Sequence, residues 1–223
     1  MNEKKLMGML AVVLALMMPV AAETVMSVSV EPGEYWHSKM RVLFFTVKNP
    51  PQVAVWVETP EGEFIDTIMI TGRTAKQEWR SAPDEGRPES LPVWTHASAR
   101  CVGDLDAASS ATPEERIDSG RCLSSLVHGA RYRIRAEVNH SYDYNDYWEK
   151  KAEKGSDRYS GVNGQPSVVY EGELVYTAGE QVVLVPVGQG SVDGSNGTIT
   201  GTLDGLTTAL SIVDAVRVSV EAE

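Results

Sequence analysis

The chain has 223 residues, 20 Lys and Arg against 31 Asp and Glu, and a formal net charge of -11. That length suits one large domain or two small ones with a real core. The acidic balance excludes a nucleic-acid binder, which needs a basic face, and 42% hydrophobic residues exclude wholesale disorder.

In chain order, the first element is an address. Five of the eight Met lie in the first 18 residues, and Lys4 and Lys5 precede an uncharged run of 17 residues, 6–22. The run is shorter than the ~20 residues of a membrane-spanning helix. Pro19 interrupts its end, and Val20 and Ala22 stand where a signal peptidase reads small residues. Residues 1–22 therefore read as a cleaved secretory signal, with a retained N-terminal anchor as the competing reading. The expectation is a periplasmic or secreted protein whose mature chain has no membrane span.

After that, hydrophobicity repeats with a period of two, the mark of strands with one buried face. The clearest case is 131–138, where Tyr132, Ile134, Ala136 and Val138 alternate with Arg131, Arg133, Arg135 and Glu137. Further strands are expected at 24–30, 40–47, 53–58, 64–70, 91–97, 167–176, 181–187, 210–213 and around Val216, Val218 and Val220. The loop 59–63 (TPEGE) predicts a hairpin between two of them. Short helical turns are expected only at 74–80, after Pro113 and at 147–154. This pattern predicts an all-β protein, an antiparallel β-sandwich of immunoglobulin or fibronectin type with long loops; a partly open β-barrel is the alternative. Residues 23–187 form the sandwich domain. Residues 188–223, a Gly/Ser/Thr-rich loop and C-terminal strands, read as part of the same domain. Beyond Arg158 only Arg217 faces eight acidic residues, which reads as a solvated acidic region.

Cys101 and Cys122 are the two cysteines. In an exported chain an even count predicts a disulfide. The 22-residue loop it closes would contribute roughly 3 kcal/mol. With His96 and His128 the same cysteines offer a zinc site as the sharper alternative. Their spacings are wide for zinc, however, and His96 falls in an expected strand.

No His-Glu-x-x-His, Gly-x-Ser-x-Gly or Walker pattern occurs in the sequence, so no catalytic residue is assigned and the chain reads as a non-enzyme. The most unusual stretch is 140–149 (HSYDYNDYWE), which mixes four aromatics with carboxylates and a carboxamide. Asp143, Asn145 and Asp146 are hard oxygen ligands suited to Ca²⁺, although the offsets are not those of an EF-hand. The aromatics offer a stacking surface for a sugar or flavin ring, and seven of the eight Tyr lie between 132 and 176. The plainer reading packs these rings on the sandwich edge and leaves the acids in water.

Four segments carry a resemblance: 51–58 (PQVAVWVE), 87–94 (RPESLPVW), 137–145 (EVNHSYDYN) and 159–167 (YSGVNGQPS). Together they resemble a bacterial family of predicted periplasmic proteins of unknown function, over roughly 40–187. Members often lie in gene neighbourhoods with flavin transferases and membrane redox proteins. The resemblance thus implies an accessory in extracytoplasmic flavin-linked redox, with a periplasmic or membrane redox partner. Inside the cysteine loop, 106–112 (DAASSAT) is similar to the Asp-x-x-Ser/Thr-Gly-Ala-Thr acceptor of flavin transferases. On that likeness Thr112 would carry FMN through a phosphoester, with Asp106 and Ser109 as recognition residues. Ser110 stands where the acceptor pattern has Gly. A Ca²⁺- or glycan-binding module and a structural, partner-binding envelope protein are the alternative readings.

Overall fold

The computed structural model describes residues 24–42, 45–76, 86–99, 109–110 and 115–222; of 39–42, 45–48 and 109–110 only the backbone is described. The leader 1–22, Cys101, Asp106 and Thr112 lie outside the described residues.

The smaller sheet grows from alternation. Strand β1 (Thr24–Pro32) turns Met26, Val28 and Val30 inward. It pairs antiparallel with β12 (Val213–Ala222), whose Val216, Val218 and Val220 point the same way, Val28 opposite Val218. On its other side β1 pairs with β7 (Ile117–Cys122), and β10 (Gln181–Val183) completes the order β10-β12-β1-β7. The C-terminal strand is therefore an inner member of this sheet.

The larger sheet is built around β8 (Arg131–Asn139) and β4 (Gln52–Glu58), paired antiparallel with Val55 opposite Ala136 and Val57 opposite Ile134. The hairpin expected through 59–63 forms, joining β4 to β5 (Phe64–Thr71). Strands β9 (Val168–Val175), β11 (Val185–Gln189) and the two-residue β6 (Ser109–Ser110) give the order β11-β9-β8-β4-β5-β6. Only β6 runs parallel to its neighbour. One core cluster joins Met26, Val28 and Val218 to Val53, Val55 and Ile134, so the two sheets share an apolar interior. Two separate sheets packed face to face make a β-sandwich; the barrel alternative does not hold, because the strands do not close.

Several elements depart from expectation. Residues 91–97 are not a strand: α2 (Pro92–Ser98) is helical. Pro92 at its start fixes a helical φ, and the carboxylate of Glu137 accepts the N–H groups of Val93 (3.2 Å) and Trp94 (2.8 Å). An acid on a distant strand thus satisfies two of the helix's orphan donors. The helix covers a second apolar cluster on the outer face of the larger sheet, with Trp56, Ile70, Val93, Trp94 and Val169.

The expected strand 40–47 is two short strands, β2 (Ser38–Val42) and β3 (Phe45–Asn49), paired with each other. Residues 181–187 also divide. The chain leaves β10 in one sheet and enters β11 in the other, with Leu184 buried at the crossing. Residues 208–211 form a 3₁₀ turn ahead of β12 rather than a strand, and 147–154 contain turns rather than a helix. The helix expected at 74–80 is α1 (Gly72–Lys76) within the described residues.

The arginines of β8, read as a solvated row, are partnered. Arg135 lies between Glu58 (3.2 Å) and Glu171 (2.9 Å), and Arg133 reaches the carbonyl of Pro60.

Candidate functional site

The segment following β8 is locked in place by backbone bonds. Tyr142 N–H donates to the Val162 carbonyl (2.7 Å), Asp143 N–H to that of Asn163 (2.7 Å), and Gln165 N–H to that of Asp143 (2.9 Å). Gly164 makes this approach close enough: its φ is +83°, and a Cβ there would meet the Asp143 carbonyl. Arg87, itself 6% exposed, fastens the two segments by donating to Ser141 Oγ (2.7 Å) and Asn163 Oδ1 (2.6 Å). Between these constraints Tyr142 adopts φ +63°, the one positive value at a non-glycine among the described residues. Such a conformation costs a residue with a Cβ about 1–2 kcal/mol, and it is found most often where a side chain has been aimed by its surroundings.

Tyr142 lines a cavity of about 450 Å³. Its walls come from three distant stretches: Glu34, Tyr35, His37 and Ser38 after β1; His140, Tyr142 and Asp143 after β8; and Thr208 from the 3₁₀ turn. Tyr35 and Tyr142 remain 42% and 45% exposed, so both rings stand open to solvent. His140, 1% exposed, belongs to the same lining. Its Nε2 is 3.0 Å from the Tyr35 carbonyl, and its Nδ1 has no hydrogen-bond partner. Burial pushes the imidazole down to about 4, so the ring is neutral at pH 7. Since a carbonyl accepts, Nε2 must carry the proton and Nδ1 a bare lone pair.

Asp143 accepts from the Thr208 hydroxyl (2.6 Å) and from the side-chain amide of Gln165 (2.8 Å). Burial raises its pKa, and the Thr208 bond offsets part of that rise.

A second perturbed carboxyl lies apart from this cavity. Glu137 is fully buried, accepts Ser167 Oγ (2.6 Å) as well as the two α2 amides, and is pushed up to about 7 by loss of solvent. Gly190 packs directly on it, where any Cβ would collide with Ser167 and Glu137. Glu58 is likewise raised by burial, while its bond from the Trp56 indole (2.7 Å) pulls the other way.

Of the three residues singled out for Ca²⁺, the structure brings Asp143 to the cavity wall and gives Asn145 a different task. Asn145 Oδ1 accepts the N–H groups of Tyr147 and Trp148, and its amide donates to the Gly205 carbonyl. Asp146 is exposed. Among the described residues no group of three or more His, Cys, Asp or Glu is placed to hold a metal ion. The aromatics separate too. Tyr144 donates to the Gly161 carbonyl (2.6 Å), and Trp148 is buried edge-on to Tyr147. Of the four aromatics Tyr142 is thus the one that lines the cavity.

Of the acceptor-like segment, Ser109 begins β6, with its backbone beside Ile70 at the edge of the larger sheet; Asp106 and Thr112 lie outside the described residues. The expected disulfide would pair Cys122, which ends β7 on the surface, with Cys101, which lies outside the described residues. His96 Nδ1 is 2.9 Å from the Pro92 carbonyl within α2, and His128 sits in the turn between β7 and β8.

Glu34, Tyr35, His37, Ser38 and Thr208 escape a reading of the sequence because their neighbours are over a hundred or over sixty positions away. The available signal is that Tyr35 is the one Tyr outside 132–176. No protein family, no characterised protein and no solved structure matches this chain. The resemblance described above therefore stands on its own residues.

Proposed function

We propose that the chain is an exported, non-catalytic binding module: a β-sandwich that holds a polar cavity open to a small ligand. The observation that carries this is the cavity itself, lined by Tyr35, His37, Tyr142, Asp143 and the buried His140. Ligand sites combine a concave, partly aromatic wall with a few convergent polar groups, and this lining has both. Of the three carboxyls that burial raises among the described residues, Asp143 lines the cavity. Glu58 and Glu137 are committed to holding Trp56, Ser167 and α2, and neither lines the cavity. The test is a heteronuclear NMR titration of the chain with a panel of small polar metabolites. The expected shifts centre on Tyr35, His37 and Tyr142; a panel that leaves those resonances unmoved sinks the reading.

A second reading, an accessory of extracytoplasmic flavin-linked redox with FMN on Thr112, draws support from Ser109. Its strand is the terminal one of the larger sheet, and an edge strand offers unpaired backbone groups that an incoming enzyme can read. Co-expression with a flavin transferase should add the mass of one FMN and a yellow colour, both lost in Thr112→Ala. The bare mature mass from a host that flavinylates its own proteins would overturn it.

A further inference from the structure

The lining of the cavity carries two carboxylates, Glu34 and Asp143, beside the hydroxyls of Tyr35, Ser38, Tyr142 and Thr208 and the imidazoles of His37 and His140, and no Lys or Arg lines it. The partners of Asp143 are a hydroxyl and a carboxamide, which orient its oxygens without cancelling its charge. Two tyrosines, Tyr35 and Tyr142, also line the space, and tyrosine rings attract cations. The volume, about 450 Å³, lies within the ordinary span of small-molecule sites.

Resting on the cavity's reading as the functional site, we infer that its ligand is an organic ammonium ion, a primary amine with N–H donors. Such a group fits each feature of the lining. Its charge and its N–H groups answer Glu34 and Asp143, and its aliphatic body lies between Tyr35 and Tyr142. Other ligand chemistries leave something unmet. A quaternary ammonium has no N–H for the carboxylates. A neutral sugar leaves the carboxylates uncompensated, and an anionic phosphate or flavin nucleotide is repelled by them. Ca²⁺ would compete with Thr208 and Gln165 for both Asp143 oxygens, and Asn145 Oδ1 already caps two backbone amides.

The test uses the full chain at about pH 8, above the histidine range, followed by NMR and calorimetry. The probes are putrescine, choline, glucose and calcium chloride, each added alone. Putrescine should move the resonances of Tyr35, His140 and Tyr142 saturably, with choline weaker by about tenfold for want of a donor. Glucose and Ca²⁺ should leave them in place. Two exposed positions provide variants that leave the core intact. Tyr142→Gly removes one wall and should weaken putrescine by about tenfold. Glu34→Gln removes one exposed charge and should weaken it by about threefold. Cavity shifts with glucose or Ca²⁺ but not with putrescine would overturn the ammonium assignment while leaving the cavity as the binding site. Silence from all four probes would overturn both. Putrescine binding unchanged in both variants would move the cation elsewhere and overturn the inference.

Discussion

Glu137 and Asp143 are acids six positions apart, both raised in pKa by burial, yet the fold uses them differently. Glu137 ends in a closed pocket: three donors converge on it and Gly190 seals it from above. Asp143 shares its oxygens between Thr208 and Gln165 but lines an open cavity. A raised pKa alone therefore does not identify a site. What separates them is whether space remains beside the carboxylate, and the two should respond differently to substitution.

The largest effect is expected at the closed acid. Glu137→Ala removes the acceptor for Val93 N–H, Trp94 N–H and Ser167 Oγ, leaving buried donors without partners. The expected loss is about 3–5 kcal/mol, read by chemical denaturation, with the amides of α2 losing hydrogen-exchange protection. Glu137→Gln keeps one accepting oxygen and should lose less than half as much. If Glu137→Ala unfolds at the wild-type denaturant concentration, the carboxylate does not hold the helix.

Their pH behaviour provides a second contrast, between Glu137 and His140 beside Asp143. The Glu137 carboxyl rises from 4.5 to about 7, so the folded chain keeps a proton that the unfolded chain has already lost. Its stabilisation is complete below about 4.5 and is lost as pH rises through about 7. His140 falls from 6.5 to about 4, so the unfolded chain takes up its proton first. That stabilisation is complete above about 6.5 and is lost as pH falls through about 4. Each slope is worth on the order of 3 kcal/mol, and they oppose each other across nearly the same window. Glu137→Gln should therefore expose a stability that climbs with pH relative to wild type between about 4 and 6.5, and His140→Gln one that declines. Melting curves with equal pH slopes in all three chains would show that neither group titrates differently on folding.

Asp143→Asn should be milder. The new amide keeps an oxygen for one partner and sets an N–H₂ against the other, a loss of about 1 kcal/mol. If its cost instead matches that of Glu137→Ala, the cavity acid is as structural as the closed one, and the contrast fails.

How far this was legible in sequence follows the range of the interactions. The sandwich was legible because Met26, Val28, Val30 and Val216, Val218, Val220 alternate, and alternation is a local signal. Strand β7 was not: only Ile117 and no other apolar residue of the strand reaches the core, so its pattern is too weak to register. Helix α2 was misread because Leu91, Val93 and Thr95 mimic alternation. The acceptor that decides for helix, Glu137, lies over forty positions away. The cavity was half legible. The stretch 140–149 drew attention to His140, Tyr142 and Asp143. Its opposite wall, 34–38, meets the Thr208 turn because β1 and β12 run side by side in the smaller sheet and Tyr35 N–H donates to the Ser211 carbonyl, contacts across the whole chain that no local pattern shows.

The smallest change in stability is expected at the most informative position. Tyr142 holds φ +63°, a region that costs a residue with a Cβ about 1–2 kcal/mol and glycine little. Glycine in turn loses about 0.5–1 kcal/mol of chain entropy on folding, and the ring it replaces is 45% exposed, so little packing goes with it. Tyr142→Gly should then leave stability within about 1 kcal/mol of wild type, on the favourable side if the ring contributes nothing to the fold. A ring that is costly to hold and does not stabilise the chain is held for what it touches outside the chain. Should Tyr142→Gly destabilise by more than about 2 kcal/mol, the ring is a structural wedge, and the difference between the open acid and the closed one narrows to geometry alone.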